Sequence, residues 1–183
     1  MRRSKPIATA IVLFIVATLS ACSVSPRAGY RTNQLDDMTQ ETIYRFQQTD
    51  PGIERLFGAS VGYAIFPTIG AGAVGVGGAY GRGQVYERGQ LIGYCDMTQA
   101  SVGVQLGGQA YSEVIFFNSH DAMEWFKSGE FSFSGQASAV ALKEGVSANA
   151  NFRNGVAVYT QAKGGLMYQA SIGGQKFRYE SIQ

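Results

Sequence analysis

Over residues 61–117, small or polar residues alternate with Val, Ile, Tyr and Leu. Val74-Gly75-Val76, Gln84-Val85-Tyr86, Leu91-Ile92-Gly93-Tyr94 and Ser101-Val102-Gly103-Val104-Gln105-Leu106 all show it. A period of two puts every second side chain on one face, which fits a half-buried strand and not a helix. Gly81-Arg82-Gly83 and Glu87-Arg88-Gly89-Gln90 read as turns, so the stretch is expected to fold as antiparallel hairpins. So many glycines within strands imply tight curvature or close backbone approach. Before this region, residues 33–48 carry Leu35, Met38, Thr42 and Phe46 at helical spacing, widened by Ile43 and Tyr44. Asp36 and Asp37 are read into the first turn and Arg45 near the end, as the helix dipole favours. Asp50-Pro51 marks the cap and first position of a second short helix with Ile53, Leu56 and Phe57, ending at Gly58. After the hairpins, residues 121–127 predict a short helix with Met123, Trp125 and Phe126, a capping box at Asp121 and Glu124, and a stop at Gly129. Strand texture resumes over 131–177. Its breaks fall at Lys143-Glu144-Gly145, Arg153-Asn154-Gly155 and Lys163-Gly164-Gly165, of which Asn154-Gly155 is a hairpin turn. The fold class is therefore α+β: N-terminal helices packed on a glycine-rich, curved antiparallel β-sheet with one inserted short helix.

The N-terminus reads as an export signal. Arg2, Arg3 and Lys5 precede an apolar run over residues 7–19, and Leu19-Ser20-Ala21-Cys22 comes next. At about 13 residues the run is shorter than the ~20 that span a bilayer. The Leu-Ser-Ala-Cys ending resembles the lipobox of bacterial lipoproteins. That resemblance implies a signal peptide over 1–21, acylation at Cys22, a tether over 22–32 and a domain over 33–183. Ser23 in place of Asp points to the outer membrane, facing the periplasm of a bacterial cell envelope. Loss of Arg2, Arg3 and Lys5 leaves 12 basic residues against 13 acidic ones, which removes the main electrostatic motive for nucleic-acid binding. Cys95 is then the sole free cysteine, read as a small buried apolar residue. No ligand cluster suits zinc or iron, and no cofactor is expected.

A family likeness extends from about Gln34 to the C-terminus. It is carried by Tyr63-Ala64-Ile65-Phe66-Pro67 and by Gly70-Ala71-Gly72-Ala73-Val74-Gly75-Val76-Gly77-Gly78-Ala79-Tyr80. Gly93-Tyr94-Cys95-Asp96-Met97, Ser101-Val102-Gly103-Val104-Gln105-Leu106-Gly107-Gly108-Gln109-Ala110-Tyr111, Ile115-Phe116-Phe117, Phe126-Lys127-Ser128-Gly129 and the Ala-rich 137–141 stretch continue it. Together they resemble the SYLF lipid-binding domain family, including its yeast actin-patch members. The resemblance implies a non-enzymatic membrane module: eukaryotic members bind phosphoinositides, some fungal members bind and bundle actin, and bacterial members are commonly small exported proteins. In the eukaryotic relatives a basic amphipathic N-terminal helix contacts lipid, whereas here the corresponding helix carries Asp36, Asp37 and Glu41 against Arg45. Candidate lipid-binding residues are therefore Arg27 and Arg31 in the tether, and Arg82 and Arg88, which share one hairpin as a small anion site. The plainer reading of all four is solvated surface.

Three sharper motifs compete. Gly70-Ala71-Gly72-Ala73-Val74-Gly75 fits a dinucleotide fingerprint, but the adjoining Val76-Gly77-Gly78 makes a poor helix and position 92 is Ile where an acid is needed. Gly58-Ala59-Ser60-Val61-Gly62 fits a nucleophile elbow with Asp96 and His120 in hydrolase order, yet the expected order is helix then strand, the reverse of an elbow. Residues 57–81 hold no charge and include Gly58 and Gly62 at helix-packing spacing, so a glycine-zipper membrane insertion is the main rival. The expected partners are the membrane through the acyl chains, anionic phospholipid, or an envelope protein held at the bilayer.

Overall fold

The computed structural model describes residues 28–74, 76–102, 107–129, 131, 139–163 and 174–182. By its contacts the chain divides into residues 1–32 and 33–183. The packing described here is within the second unit. The Lys163-Gly164-Gly165 break reaches beyond the described residues at its two glycines.

Helix α1 runs Ala28–Thr49. It starts five residues before the expected Asn33, so residues 28–32, read as tether, are helical. Asp36 and Asp37 consequently lie two turns in and make no first-turn dipole contact. Thr39, Thr42 and Phe46 form its buried stripe with Ile43 beside them, whereas Tyr44 points away and is 60 % exposed. Asp50 ends this segment and begins the next. Its side chain accepts from Gly52 N–H and caps a 3₁₀ turn at Pro51–Ile53, which leads into α2 at Glu54–Ala59. The fixed φ of Pro51 and its missing N–H suit that first position.

Seven strands among the described residues form one open, mostly antiparallel sheet, so the α+β class holds. They are β1 Gly62–Val74, β2 Val76–Glu87, β3 Gln90–Val102, β4 Gly107–Phe117, β5 Val140–Ala141, β6 Val156–Ala162 and β7 Gln175–Ser181. Their spatial order is β5-β6-β4-β1-β2-β3-β7, and β5 pairs parallel to β6. Strand β4 lies beside β1 after the β1-β2-β3 meander, a Greek-key order. The β2–β3 turn is as read: Arg88 and Gly89 both take positive φ, 51° and 76°, the primed geometry that matches strand twist. Gly81-Arg82-Gly83 is not a turn. It lies inside β2, where a Cβ on Gly81 would meet Ile69 Cγ1 at 2.6 Å and one on Gly83 would meet the Ile65 carbonyl at 2.5 Å. These glycines let β1 and β2 approach each other; they do not reverse the chain.

Pro67 sits within β1, between two partners, where a proline removes a ladder donor. The register shifts there on both sides, between Ile65 and Thr68 towards β2 and between Phe66 and Ile69 towards β4. This bulge lets Phe66 and Ile69 enter the same core. The Ser112 hydroxyl donates to the Pro67 carbonyl at 2.7 Å and satisfies it.

Alternation gives the sheet two buried faces. On one, Tyr63, Ile65, Tyr86, Val114, Phe116 and Tyr159 pack with Phe46 of α1 and with Ile53. On the other, Phe66, Ile69, Val85, Met97, Ile115, Phe117 and Phe177 pack under α3, His120–Lys127, through Ala122, Met123 and Phe126. The cap of α3 is Ser119, whose hydroxyl accepts from Ala122 N–H, and not the Asp121–Glu124 box. Gly129 ends it with φ +76° as expected, while Trp125 stays 43 % exposed.

The competing motifs find no support in this architecture. Gly70 to Val74 belong to β1 and the next element is strand β2, so no helix N-terminus faces a pyrophosphate. Gly58 lies in α2 and Gly62 opens β1, which is the helix-to-strand order and also splits the glycine-zipper pair between two kinds of element. Among the described residues no helix is long and apolar enough to cross a membrane.

Candidate anion-binding face

Strands β2, β3 and β7 pair in register through three adjacent rows. Arg82 lies opposite Asp96, and Asp96 opposite Arg178. One row away stand Tyr80, Thr98 and Lys176, and on the other side Gln84, Tyr94 and Glu180. Residues two apart on a strand share a face, so all nine side chains point the same way. Gln84 donates to Asp36 of α1, and Tyr86 OH donates to Gln84 Oε1 at 3.1 Å. Beyond Gln84, Arg82, Tyr80, Thr98, Lys176 and Arg178 are exposed.

This face carries a specific electrostatic arrangement. A single carboxylate, Asp96, stands between two guanidinium-bearing positions, and its Oδ1 accepts from Tyr80 OH at 3.0 Å. Partial burial and that bond to Asp96 push the Tyr80 phenol above its ordinary value, so it stays a neutral donor. The Arg82 guanidinium lies 5.8 Å from the Tyr94 ring centroid, a cation–π contact that orients it without neutralising it. Arg178 reaches Glu180 at 3.8 Å with both side chains well exposed, a pair of little energetic weight. Neither Arg82 nor Lys176 makes an ion pair among the described residues. On the strands themselves three cations stand with two carboxylates and two flanking tyrosines, and Asp36 of α1 adds a third carboxylate at the Gln84 edge, so the cations concentrate towards Tyr80, Thr98 and Lys176. Two cations elsewhere are held closer, Arg45 by Glu41 at 2.7 Å and Lys127 by Glu124 at 2.5 Å.

The expected site residues separate in space. Cys22 and Arg27 lie outside the described residues, and Arg31 falls within α1. Arg82 is in β2 and Arg88 is in the β2–β3 turn. Six residues of extended chain set them about 20 Å apart, so they do not build one anion site. Arg82 instead shares a sheet face with Lys176 and Arg178 across β3, two residues that sequence patterning alone did not single out. The signal was present in Gln175-Lys176-Phe177-Arg178-Tyr179-Glu180, an alternation of polar and aromatic residues, but nothing in it names β3 as the partner.

His120, at the start of α3, has a side chain 60 % exposed and lies 3.9 Å from Glu87 Oε1. Cys95 is buried as expected, and burial, with Asp96 and Glu113 nearby, raises its thiol well above the ordinary range.

Residues 98–181 match the Ysc84 family, described as Las17-binding protein actin regulator. The span runs from the upper half of β3 to the end of β7, so it includes Lys176 and Arg178 and leaves Arg82 outside. The chain is also similar to Beta cell expansion factor A of Aeromonas veronii, with 26 % identity over 148 residues. That alignment covers 78 % of this chain and 55 % of the relative, so the chain spans about half the length of the protein it resembles.

Proposed function

We propose that this chain is a non-catalytic SYLF-type envelope lipoprotein, anchored through acyl chains on Cys22 at the outer membrane and facing the periplasm, whose domain engages anionic phospholipid. The observation that carries the lipid reading is the Arg82–Asp96–Arg178 row with Lys176 beside it: three exposed cations grouped on a tyrosine-flanked part of the sheet face. Each cation near an anionic bilayer adds about 1 kcal/mol. Three such residues make a weak contact that becomes effective once an acyl anchor raises the local concentration. The Ysc84 match over 98–181 supports the domain assignment. The export signal and Leu19-Ser20-Ala21-Cys22 support the anchor.

The test uses residues 23–183, which lack the acylated cysteine, in co-sedimentation with vesicles of graded anionic content. Binding that grows with anionic lipid and fades with salt supports the proposal. Absence of binding at every composition removes it and leaves the acyl chains as the membrane contact.

A second reading, a protein-binding envelope lipoprotein, is favoured by one feature of the sheet. Among the described strands β7 lies at the edge of the sheet, the position at which another chain can add by backbone pairing. The matched family's description also names a protein partner, Las17.

A further inference from the structure

Glu113 is fully buried in the middle of β4, on the α3-bearing face of the sheet. Its cross-strand neighbours are Phe66 of β1 and Thr160 of β6. Three strands separate β4 from β7 in the sheet, yet Gln175 of β7 reaches across that face and its Nε2 donates to Glu113 Oε2 at 3.2 Å. The titratable groups that face Glu113 are the Tyr111 phenol on its own strand and the Cys95 thiol of β3, both held neutral by burial. The other contacts of this face, Phe66, Thr160, Gln175 and Phe126 of α3, bring no charge. No cation among the described residues compensates a carboxylate there.

Two buried oxygens beside that hydrogen bond have no partner: Glu113 Oε1 and Gln175 Oε1. They are the remaining ends of the two groups already joined. An ionised carboxylate only accepts, so it can offer no donor to Gln175 Oε1. A proton on Glu113 Oε1 turns it into a donor to Gln175 Oε1 and closes a ring with two hydrogen bonds. The Thr160 hydroxyl, buried and without a partner opposite Glu113, adds a rotatable donor at the same place.

We infer that Glu113 is a neutral acid paired at two points with Gln175, and that this proton-dependent clasp fastens the edge strand β7 to β4 across the inside of the sheet. Burial pushes the Glu113 carboxyl up to about 7, against the opposing pull of the Gln175 bond. The unfolded chain releases this proton near the ordinary 4.5, while the folded chain keeps it to about 7. The stability held in the clasp is therefore full below 4.5, falls between 4.5 and 7, and is lost above. Gln175 directly precedes Lys176 and lies three residues before Arg178, so opening the clasp loosens two of the three cations of the lipid face. This regulatory consequence rests on the lipid reading; the clasp itself does not.

The experiment is infrared difference spectroscopy and denaturant unfolding of the full lipoprotein in mild detergent, from pH about 5 to about 8, beside Glu113→Gln. A glutamine at 113 can form the same two-point ring with Gln175 at every pH. The expected result is a buried protonated-carboxyl band in the native protein at low pH that fades as pH rises and is missing in Glu113→Gln. The folding constant of the native chain should fall by about two orders of magnitude over the window, with that of the variant flat. An ionised Glu113 at pH about 5.5, or the same pH slope in both proteins, overturns the clasp. If the variant fails to fold, the infrared band in the native protein decides. In the same pH series, residues 23–183 are offered to anionic vesicles. Binding that declines with pH in the native sequence and holds in Glu113→Gln supports the regulatory link, whereas binding that declines equally in both overturns it. Absence of vesicle binding at any pH sinks the lipid reading and leaves the clasp to be judged on its band.

Discussion

Asp50 Oδ2 accepts a 2.7 Å hydrogen bond from the backbone N–H of Ser147, 97 positions further along the chain. The other oxygen, Oδ1, accepts from Gly52 N–H at 3.0 Å. One carboxylate thus caps the 3₁₀ turn that starts the second helix and ties it to a second 3₁₀ turn at Val146–Asn149. Burial works to raise the Asp50 carboxyl, but the bonds from Ser147, Gly52 and Gly145 outweigh it and hold the group below its ordinary 3.8.

Replacing Asp50 with Ala removes the cap and leaves the buried Ser147 N–H unpaired, so about 2–3 kcal/mol of stability should be lost in denaturant unfolding. Because the folded value is depressed, the stabilisation is present above about pH 4 and declines as pH falls through the folded value. Asp50→Asn should flatten that acid limb. An unchanged acid limb in Asp50→Asn would show that other carboxylates control it.

Gly83→Ala places a methyl 2.5 Å from the Ile65 carbonyl and 2.7 Å from the Phe66 ring. The backbone of β1 cannot yield cheaply, and a loss of about 2–3 kcal/mol is expected in thermal or denaturant unfolding. Gly89→Ala meets nothing within 4 Å but occupies φ +76°, so its cost should stay near 1 kcal/mol. Equal losses at the two positions would overturn the steric account of the glycines within strands.

Charge reversal at Arg82 and Arg178 together should weaken binding of residues 23–183 to anionic vesicles by at least about tenfold and reduce its salt dependence. Arg88→Glu, in the turn about 20 Å along the hairpin, should leave binding near that of the native sequence. Equal losses from Arg88→Glu would mean that net charge, and not the three-strand row, governs the contact.

The Cys95 thiol is 2 % exposed and shifted well above its ordinary value. A thiol reagent should therefore modify the native protein at neutral pH only as fast as the chain opens, and at once in denaturant. Rapid native-state labelling at Cys95 would contradict the packing of β3 against the α3-bearing face.

The Ser112 hydroxyl holds the Pro67 carbonyl at the bulge in β1. Ser112→Ala should cost about 1–2 kcal/mol by leaving that buried carbonyl unpaired. Ser112→Thr, which keeps the hydroxyl, should recover part of the loss in the same unfolding measurement.

Signals confined to a few neighbouring residues were legible in the chain. Asp50-Pro51 starts a helical segment, Gly129 ends one, and Arg88-Gly89 turns a hairpin, because cap and turn geometry depends on φ and on a side chain two or three positions away. Where the same residue types served a distant contact, the local reading failed. Gly81-Arg82-Gly83 has turn composition but lies flat in β2, since the demand for glycine comes from β1 crossing beside it. Asp121 and Glu124 have capping spacing, yet Ser119 takes the cap two positions earlier. The helix begins at Ala28 and not Asn33, so the acids Asp36 and Asp37 lose the first-turn role given to them.

Period-two alternation over 61–117 determined that this chain forms a sheet with two distinguishable faces, because side-chain direction in a strand is a property of the strand itself. Which strands adjoin is decided by packing between residues far apart in the chain, and alternation is silent about it. Only the tertiary structure placed β7 beside β3, so that Arg178 stands across Asp96 from Arg82, and rolled the sheet until Gln175 met Glu113.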